Sequence, residues 1–206
     1  TRSSRKRALP ENALFPKTRM GHIFVAVQRV HVVGSSGSGK STFARKIAEH
    51  FDIPAIELDA IYHQSDWTPL DPQQLREQVD VLTQWSDWVV DGNYSAVADL
   101  VDGRATSVIF LDYPRAFIMR RLIRRTFIRA ITRKQLWNGN RERVRNLFKL
   151  DPEKNVLLWS WRNHAKLRAR YLDPKFLGEN ATARMLVLPS HRAAMQFLQD
   201  LGIKKF

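Results

Sequence analysis

A glycine-rich octapeptide constrains the fold of this chain more than any other feature of its sequence. It matches the pattern Gly-x-x-x-x-Gly-Lys-[Ser/Thr], and its residues are Gly34, Ser35, Ser36, Gly37, Ser38, Gly39, Lys40 and Ser41. From average residue usage, a chance match is expected in about 1% of chains of this length. A β-rich run over 28–33 precedes the octapeptide, and apolar residues at helical spacing follow it up to Phe51. The sequence therefore predicts a strand, a loop and a helix in direct succession.

Such a loop is suited to binding phosphate. Its glycines allow the backbone to wrap so that N–H groups point at phosphate oxygens, and the positive end of the following helix adds to the attraction. The Lys40 ammonium is expected to reach the β- and γ-phosphates, and the Ser41 hydroxyl is expected to be a magnesium ligand. The residues from Gly34 to Thr42 are therefore predicted to bind ATP and Mg²⁺.

The rest of the sequence alternates between short β-rich runs and helical patterns. Further strands are predicted over 53–58, 88–90, 107–111 and 184–188, and helices over 72–82, 115–132 and 191–201. This alternation predicts an α/β fold with a five-stranded parallel sheet and helices on both faces. The stretch 113–172 has no strand signal, and we interpret it as a helical, lid-like insertion that contains further helices over 140–149 and 154–171.

Three carboxylates follow predicted strands. Asp59, Asp91 and Asp112 come at the ends of the second, third and fourth strands. Ligands of open parallel sheets bind outside the carboxyl ends of the strands, whereas any one aspartate can also cap a helix. His31 lies inside the first strand and is interpreted as structural.

The positive charge of the chain is concentrated in the predicted insertion. Residues 113–170 contain 17 basic and 3 acidic side chains, a net charge of +14 that equals the charge of the whole chain. Such a segment attracts polyanions such as nucleotides or nucleic acid, although a basic face that only contacts solvent has the same composition. No helix-turn-helix, RNA-recognition or zinc-finger pattern supports nucleic-acid binding.

The first residues form a second basic patch. Residues 1–22 carry two prolines and no apolar period, so they are predicted to be a flexible tail outside a domain that spans 23–206. A transit peptide and a translation start at Met20 remain alternatives. The chain has no cysteine, which fits a reducing cytoplasm, and it has no apolar run long enough to span a membrane.

Several motifs together resemble those of small P-loop kinases of the nucleoside-monophosphate kinase type. Besides the loop, these are Asp59-Ala60, the segment WVVDGNY over 88–94, and FLDYPR over 110–115. More narrowly, the DGNY motif and the segment LWNGNRE over 136–142 are similar to adenylate-kinase-like proteins labelled DNA topology modulation or flagellar-regulator kinases. The resemblance covers about residues 28–201 and implies a three-layer P-loop NTPase fold.

The resemblance also implies roles for individual residues. Asp91 is similar to the aspartate that holds magnesium through water, and Asp59 to the acidic residue near the acceptor in small-substrate kinases. Arg120 and Arg124, spaced i, i+4, match lid arginines that clamp the transferring phosphoryl group. Adenylate kinases continue their motif as Asp-Gly-Phe-Pro-Arg, whereas Asn93-Tyr94-Ser95 stands here, so the resemblance does not extend to an acceptor phosphate.

These observations predict magnesium-dependent transfer of the ATP γ-phosphoryl group to a small acceptor: a nucleotide, a nucleoside or another hydroxylated metabolite. Asp59 is expected to orient the acceptor hydroxyl or to accept its proton. Trp67, Tyr94 and Trp137 are candidates for the lining of the acceptor pocket, with core packing as the alternative. An ATP-binding regulator that associates with nucleic acid is the second hypothesis, and a GTPase switch is disfavoured because the base-reading Asn-Lys-x-Asp motif is missing. The sequence does not identify the oligomeric state.

Overall fold

The computed structural model describes residues 28–132, 135–141, 155–173, 176 and 183–203. The predicted tail over 1–22 and the helix predicted over 140–149, apart from its first two residues, lie outside the described residues. No helix in the described ranges is long and apolar enough to cross a membrane.

The structure confirms the predicted sheet. All pairings are parallel, and the spatial order is β2-β3-β1-β4-β5. The five strands are β1 (Arg29–Gly34), β2 (Ala55–Glu57), β3 (Trp88–Asp91), β4 (Ser107–Leu111) and β5 (Arg184–Leu188). Because β1 lies at the centre of the sheet, the loop that follows it emerges between the ends of β3 and β4.

Helices connect the strands and cover both faces of the sheet. Single 3₁₀ turns lie at Ser65–Trp67, Ser95–Val97 and Trp137–Gly139. The α-helices of the described residues are α1 (Lys40–Phe51), α2 (Leu58–Tyr62), α3 (Pro72–Thr83), α4 (Ala98–Arg104), α5 (Arg115–Thr132), α6 (Val156–Tyr171) and α7 (His191–Asp200). The sequence missed α2 and α4, which are short, and it placed the remaining helices within two residues of their observed ends.

Alternate residues of β1, β3, β4 and β5 belong to two separate cores. Val30 and Val32 of β1 pack on one face with α1 and α7, whereas Val33 packs on the other face with α3 and α4. The same alternation runs through β4, where all five residues are buried. This is the burial pattern of a parallel sheet with helices on both sides. Because the strands are parallel and in register, their carboxyl ends lie at the same edge of the sheet.

Helix α3 shows how local signals set an element boundary. The Asp71 carboxylate accepts hydrogen bonds from the backbone N–H groups of Gln73 and Gln74 at 2.9 and 3.3 Å. Pro72 occupies the first helical position, where its missing N–H costs nothing. The predicted start of this helix is therefore confirmed, and the structure shows that Asp71 caps it.

Candidate active site

The phosphate-loop sequence forms a compact turn between β1 and α1. The Ser38 N–H donates to the Ser35 carbonyl at 3.0 Å, and the side chains of both serines are buried. Gly37 has a φ of +93°, and a Cβ placed on it would lie 3.0 Å from both the Ile118 carbonyl oxygen and the Leu122 Cβ. Only glycine fits here without strain, because the loop packs directly against α5.

The residues predicted to bind the nucleotide are contiguous in the structure. They run from the end of β1 into the first turn of α1, where backbone N–H groups have no partner within the helix. Their binding role stays a prediction. The full set is Gly34, Ser35, Ser36, Gly37, Ser38, Gly39, Lys40, Ser41 and Thr42.

Asp91 lies at the end of β3, directly beside the loop. It pairs in register with Val32 of the central strand, and its side chain is buried near Lys40 and Ser41. Burial raises the pKa of Asp91 to about 6, against the opposing effects of the Lys40 charge and the Ser41 hydroxyl. A hydroxyl and a buried carboxylate, both hard oxygen donors, form a donor set that fits Mg²⁺.

The next residues of the DGNY motif join this site to the phosphate loop. The Gly34 N–H donates to Asn93 Oδ1 at 3.1 Å, and Asn93 Nδ2 donates to the Gly34 carbonyl at 2.6 Å. The Asn93 side chain thus pairs with Gly34 as a neighbouring strand would. Gly92 has a φ of +141°, and a Cβ on it would lie 2.8 Å from the Leu58 Cβ, so the motif needs glycine at this point.

The last residue of the motif reaches the predicted acceptor side. The Tyr94 hydroxyl donates to the Asp59 carboxylate at 2.7 Å. Burial raises the pKa of Tyr94 above its ordinary value, and the negative charge of Asp59 raises it further. Tyr94 therefore stays protonated and holds the Asp59 carboxylate in place at the start of α2.

His63, which the sequence analysis did not single out, connects the predicted acceptor residues. Its Nε2 lies 3.5 Å from the Tyr94 hydroxyl, and its ring centre lies 5.2 Å from that of Trp67 and 6.1 Å from that of Trp137. Burial lowers the pKa of His63, an effect that the Asp59 charge opposes. No sequence signal singles out His63, because the helix that precedes it has only five residues and shows no helical period.

We call Asp59, Tyr62, His63, Trp67, Tyr94 and Trp137 the acceptor cluster. The Tyr62 and Tyr94 rings lie 4.7 Å apart, and the Tyr62 and His63 rings 5.0 Å apart. All four predicted acceptor residues, Asp59, Trp67, Tyr94 and Trp137, are thus brought together. Whether they contact substrate stays a prediction.

Residues 135–141 of the insertion, the docked segment, lie against the chain that follows β2. Asn138 Nδ2 donates to the carbonyl oxygens of Ala60 and His63 at 3.1 and 2.6 Å. Asn140 Nδ2 donates to the Gln64 carbonyl at 2.8 Å, and Asn140 Oδ1 accepts the Trp67 N–H at the same distance. Two asparagines thus hold the segment by hydrogen bonds to main-chain groups.

Trp137 adds a side-chain bond to the same contact. Its indole Nε1 donates to Glu57 Oε2 at 2.9 Å, while Arg45 forms an ion pair with Glu57 Oε1 at 2.6 Å. Trp67 Nε1 in turn donates to the Arg141 carbonyl at 3.1 Å. The predicted lid and the acceptor cluster are therefore in direct contact in this structure.

Helix α5 brings a different arginine to the phosphate loop from those chosen from the sequence. A Cβ on Gly39 would lie 3.3 Å from a guanidinium nitrogen of Arg121, whereas the side chains of Arg120 and Arg124 are exposed. Ile118 and Leu122 pack against the loop, and Arg121 shares their face of the helix. That apolar spacing was the signal that identifies Arg121, and the roles of Arg120 and Arg124 stay predictions.

Helix α6 also contacts the loop. The Ser160 hydroxyl donates to the Ser36 carbonyl at 3.0 Å, and Arg168 Nε forms an ion pair with Asp112 at 2.9 Å. An open cleft of about 740 Å³ lies at the ends of β4 and β5. Its lining residues are Asp112, Tyr113, Pro114, Arg115, His164, Ala165, Arg168 and Pro189.

His31 is confirmed as a structural residue of the core. Its Nδ1 lies 2.6 Å from Asp102 Oδ1, and its Nε2 donates to the Gly92 carbonyl at 2.9 Å. Arg170 Nη2 approaches the other Asp102 oxygen at 3.2 Å. This group ties β1, α4 and α6 together beneath the DGNY motif.

No known family profile matches this chain, and no curated protein matches its sequence. A shikimate kinase structure from Bacteroides thetaiotaomicron is similar in fold, with 14% identity and a TM-score of 0.51 over 86% of this chain and 99% of that one. A gluconokinase from Sinorhizobium meliloti 1021 has 18% identity and a TM-score of 0.48 over 85% of this chain and 92% of its own. A shikimate kinase from Acinetobacter baumannii in complex with shikimate has 18% identity and a TM-score of 0.48 over 85% and 93%.

The first of these structures shows the fold. The chain shares the three-layer α/β fold of that shikimate kinase structure. The narrower resemblance to the topology-modulation group stays a prediction.

Proposed function

We propose that this protein transfers the γ-phosphoryl group of ATP to a hydroxyl group of a small acceptor. The observation that carries the proposal is the DGNY motif, which contacts three parts of the site at once. Asp91 lies close enough to Lys40 and Ser41 for both to lower its pKa, Asn93 is paired with Gly34, and Tyr94 is hydrogen-bonded to Asp59. A phosphate loop, a magnesium site and a carboxylate for the acceptor are the parts that phosphoryl transfer requires.

The nucleotide would bind along the phosphate loop. Lys40 and the N-terminal N–H groups of α1 would hold its phosphates, and Ser41 and Asp91 would hold Mg²⁺, which neutralises charge on the phosphates when bound. The cleft beside the Ser36–Ser160 contact is our candidate for the nucleoside part, since it opens at the same edge of the sheet.

The acceptor would lie on the opposite side, against Asp59. The Asp59 carboxylate would orient the attacking hydroxyl and accept its proton, while Tyr94 keeps that carboxylate in position. Arg121, together with Arg120 and Arg124 of the same helix, would offset charge on the transferring group. The docked segment would exclude water from the reacting atoms.

The experiment that tests the proposal measures ADP release from ATP and Mg²⁺ with a panel of nucleosides, nucleoside monophosphates and small hydroxylated metabolites. We expect at least one acceptor to raise turnover above the background and Lys40→Ala to abolish the increase. Lys166→Ala, which removes an exposed lysine from α6, is the matched control. Tight ATP binding without stimulation by any acceptor would contradict the proposal.

The arginines of α5 are tested separately. If contact with the loop determines the role, Arg121→Ala lowers kcat by about 10²-fold or more, and Arg120→Ala and Arg124→Ala have smaller effects. The reverse order would support the pair chosen from the sequence and would assign Arg121 a packing role against Phe117, whose ring centre lies 5.5 Å from its guanidinium.

The second candidate function is an ATP-binding regulator that associates with nucleic acid. The net charge of +14 over 113–170 favours it. Part of that charge has partners within the protein, because Arg168 and Arg170 bind aspartates and Arg115 lies 4.7 Å above the Trp161 ring. A mobility shift that is steeply salt-dependent and independent of sequence would indicate only non-specific attraction.

A further inference from the structure

Two buried polar side chains of α6 contact main-chain carbonyls beyond the ends of neighbouring strands. The Ser160 hydroxyl donates to the Ser36 carbonyl at 3.0 Å, and His164 Nε2 donates to the Tyr113 carbonyl at the same distance. Because Ser160 and His164 are four residues apart, they lie on one face of the helix. Ser36 and Tyr113 follow the last paired residues of β1 and β4, so this face of α6 binds carbonyls at the point where the pairing of these strands has ended.

Helix α6 is held at both ends, so a rigid element places the Ser160 hydroxyl. Asn155 caps the helix, and its side chain accepts hydrogen bonds from the next two unpaired N–H groups at 3.0 and 3.4 Å. At the other end, Tyr171 is buried and packs on Phe110 of β4 with 5.6 Å between the ring centres. Ser160 itself is only 1% exposed. A buried hydroxyl on a fixed helix can hold a loop in one conformation.

The Ser160 contact determines the direction of one N–H group of the phosphate loop. No peptide bond of the described residues is cis, and the C=O and N–H groups of a trans peptide unit point in opposite directions. Because the Ser36 carbonyl points at α6, the N–H group of Gly37 points away from that helix. Glycine adopts positive and negative φ about equally readily, so the residue type at 37 does not by itself prevent this peptide unit from turning over. A unit turned over would present an oxygen to the phosphates in place of an N–H group.

We infer that Ser160 is a positioning residue of the nucleotide site: by binding the Ser36 carbonyl, it keeps the Gly37 N–H available to a phosphate oxygen of ATP. The inference rests on the proposed binding of ATP to the loop. It adds a residue that lies 124 positions further along the chain and is not part of the glycine-rich pattern. The insertion thereby contributes to binding of the phosphates through a residue that does not touch them.

The experiment compares ATP with tripolyphosphate, which carries the phosphates without the nucleoside. ATP affinity in the presence of Mg²⁺ is measured by calorimetric titration, and tripolyphosphate affinity by competition with ATP. For Ser160→Ala we expect both dissociation constants to rise by a similar factor, about two- to tenfold, because both ligands use the same loop. Ser160→Thr keeps the hydroxyl and is expected to restore both affinities.

The matched control is Thr83→Val, which also removes a buried hydroxyl that donates to a main-chain carbonyl. The Thr83 hydroxyl bonds the Val79 carbonyl at 2.7 Å and accepts a hydrogen bond from Arg104. Trp88, at the amino end of β3, donates its indole N–H to the Thr83 carbonyl, so Thr83 lies at the edge of the sheet opposite to Asp91. Thr83→Val should lower the free energy of unfolding in urea and leave both affinities unchanged.

The outcomes separate the inference from the proposed function. If folded Ser160→Ala binds both ligands as the wild type does, the inference is wrong and the kinase proposal stands. A loss for ATP without a loss for tripolyphosphate also overturns the inference, because Ser160 would then act on the nucleoside part. The same holds if Ser160→Thr is as stable as the wild type but restores neither affinity. A wild-type protein that binds neither ligand overturns the proposed function and the inference with it.

Discussion

Replacing Gly37 with alanine is expected to be among the most damaging single-methyl changes in this protein. The residue has a φ of +93°, and a non-glycine residue held in such a conformation costs about 1–3 kcal/mol. The new methyl group would also lie 3.0 Å from the Ile118 carbonyl and from the Leu122 Cβ. Overpacking of this kind costs about 1–3 kcal/mol, so the total is about 2–6 kcal/mol, the sum of the two ranges.

The matched control is Gly103→Ala on α4. A Cβ at Gly103 has no neighbour within 4 Å and no positive φ, and alanine in a helix is favoured over glycine by about 0.5–1 kcal/mol. The two variants add the same methyl group to the same chain, but their effects should have opposite signs. The free energy of unfolding is measured by urea denaturation, and ATP affinity by titration of each folded variant.

The loop can avoid the clash only if its backbone moves. Such a movement would preserve stability but would displace the N–H groups that we propose bind the phosphates, so ATP affinity would fall instead. Gly37→Ala must therefore lose stability, ATP affinity or both. If it matched Gly103→Ala in both measurements, the close packing of α5 on the phosphate loop would be refuted.

Three further predictions concern the strand ends and the core. Burial raises the pKa of Asp91 from an ordinary 3.8 to about 6, so the folded state binds more protons than the unfolded state between these pH values. Without nucleotide, the contribution of Asp91 to the free energy of unfolding should therefore rise by up to about 3 kcal/mol as the pH falls from 7 to 4. Asp91→Asn should remove most of that dependence in thermal denaturation scans, and an unchanged profile would contradict the assignment. Tyr94→Phe removes the hydrogen bond to Asp59, so kcat with the productive acceptor should fall while ATP affinity stays constant; a loss of ATP affinity alone would place the role of Tyr94 elsewhere. Asp102→Ala should cost about 3–5 kcal/mol in urea unfolding because it leaves His31 without its buried partner, and a loss below about 1 kcal/mol would show that the group is weakly coupled.

Much of the fold could be predicted because strong local patterns coincide with strong tertiary constraints. The run 107–111 is apolar except at its first residue and is fully buried, and the Asp71-Pro72 pair marks the start of α3 in the sequence as clearly as in the structure. Short elements were missed for the opposite reason. Helix α2 has five residues, too few for a helical period to be visible.

Candidate site residues could be predicted where a residue type has one usual chemical role. They were harder to predict where the rotation of a helix about its axis determines which side chain faces the site. The glycine-rich loop and the strand-end carboxylates Asp59 and Asp91 were identified from residue type and position. By contrast, α5 contains arginines at 120, 121, 124 and 125, and only the packing of its apolar residues determines which of them faces the loop. His63 was missed because its neighbours, Trp67 and Trp137, come from segments that meet only in the folded chain.

The DGNY motif also limits how this site can change. Asp91, Asn93 and Tyr94 lie within four consecutive residues, so the distances between the proposed metal ligand, the Gly34 contact and the Asp59 contact are limited by the length of the chain between them. A substitution elsewhere in the chain cannot increase these distances. Adaptation to an acceptor of another size would have to occur opposite the motif, in the segment after β2 and in the docked segment. The asparagines of the docked segment bind main-chain atoms, so these hydrogen bonds do not depend on which side chains the segment after β2 carries. On the proposed function, the residues for phosphoryl transfer therefore keep a fixed spacing, whereas the residues that select the acceptor can be exchanged.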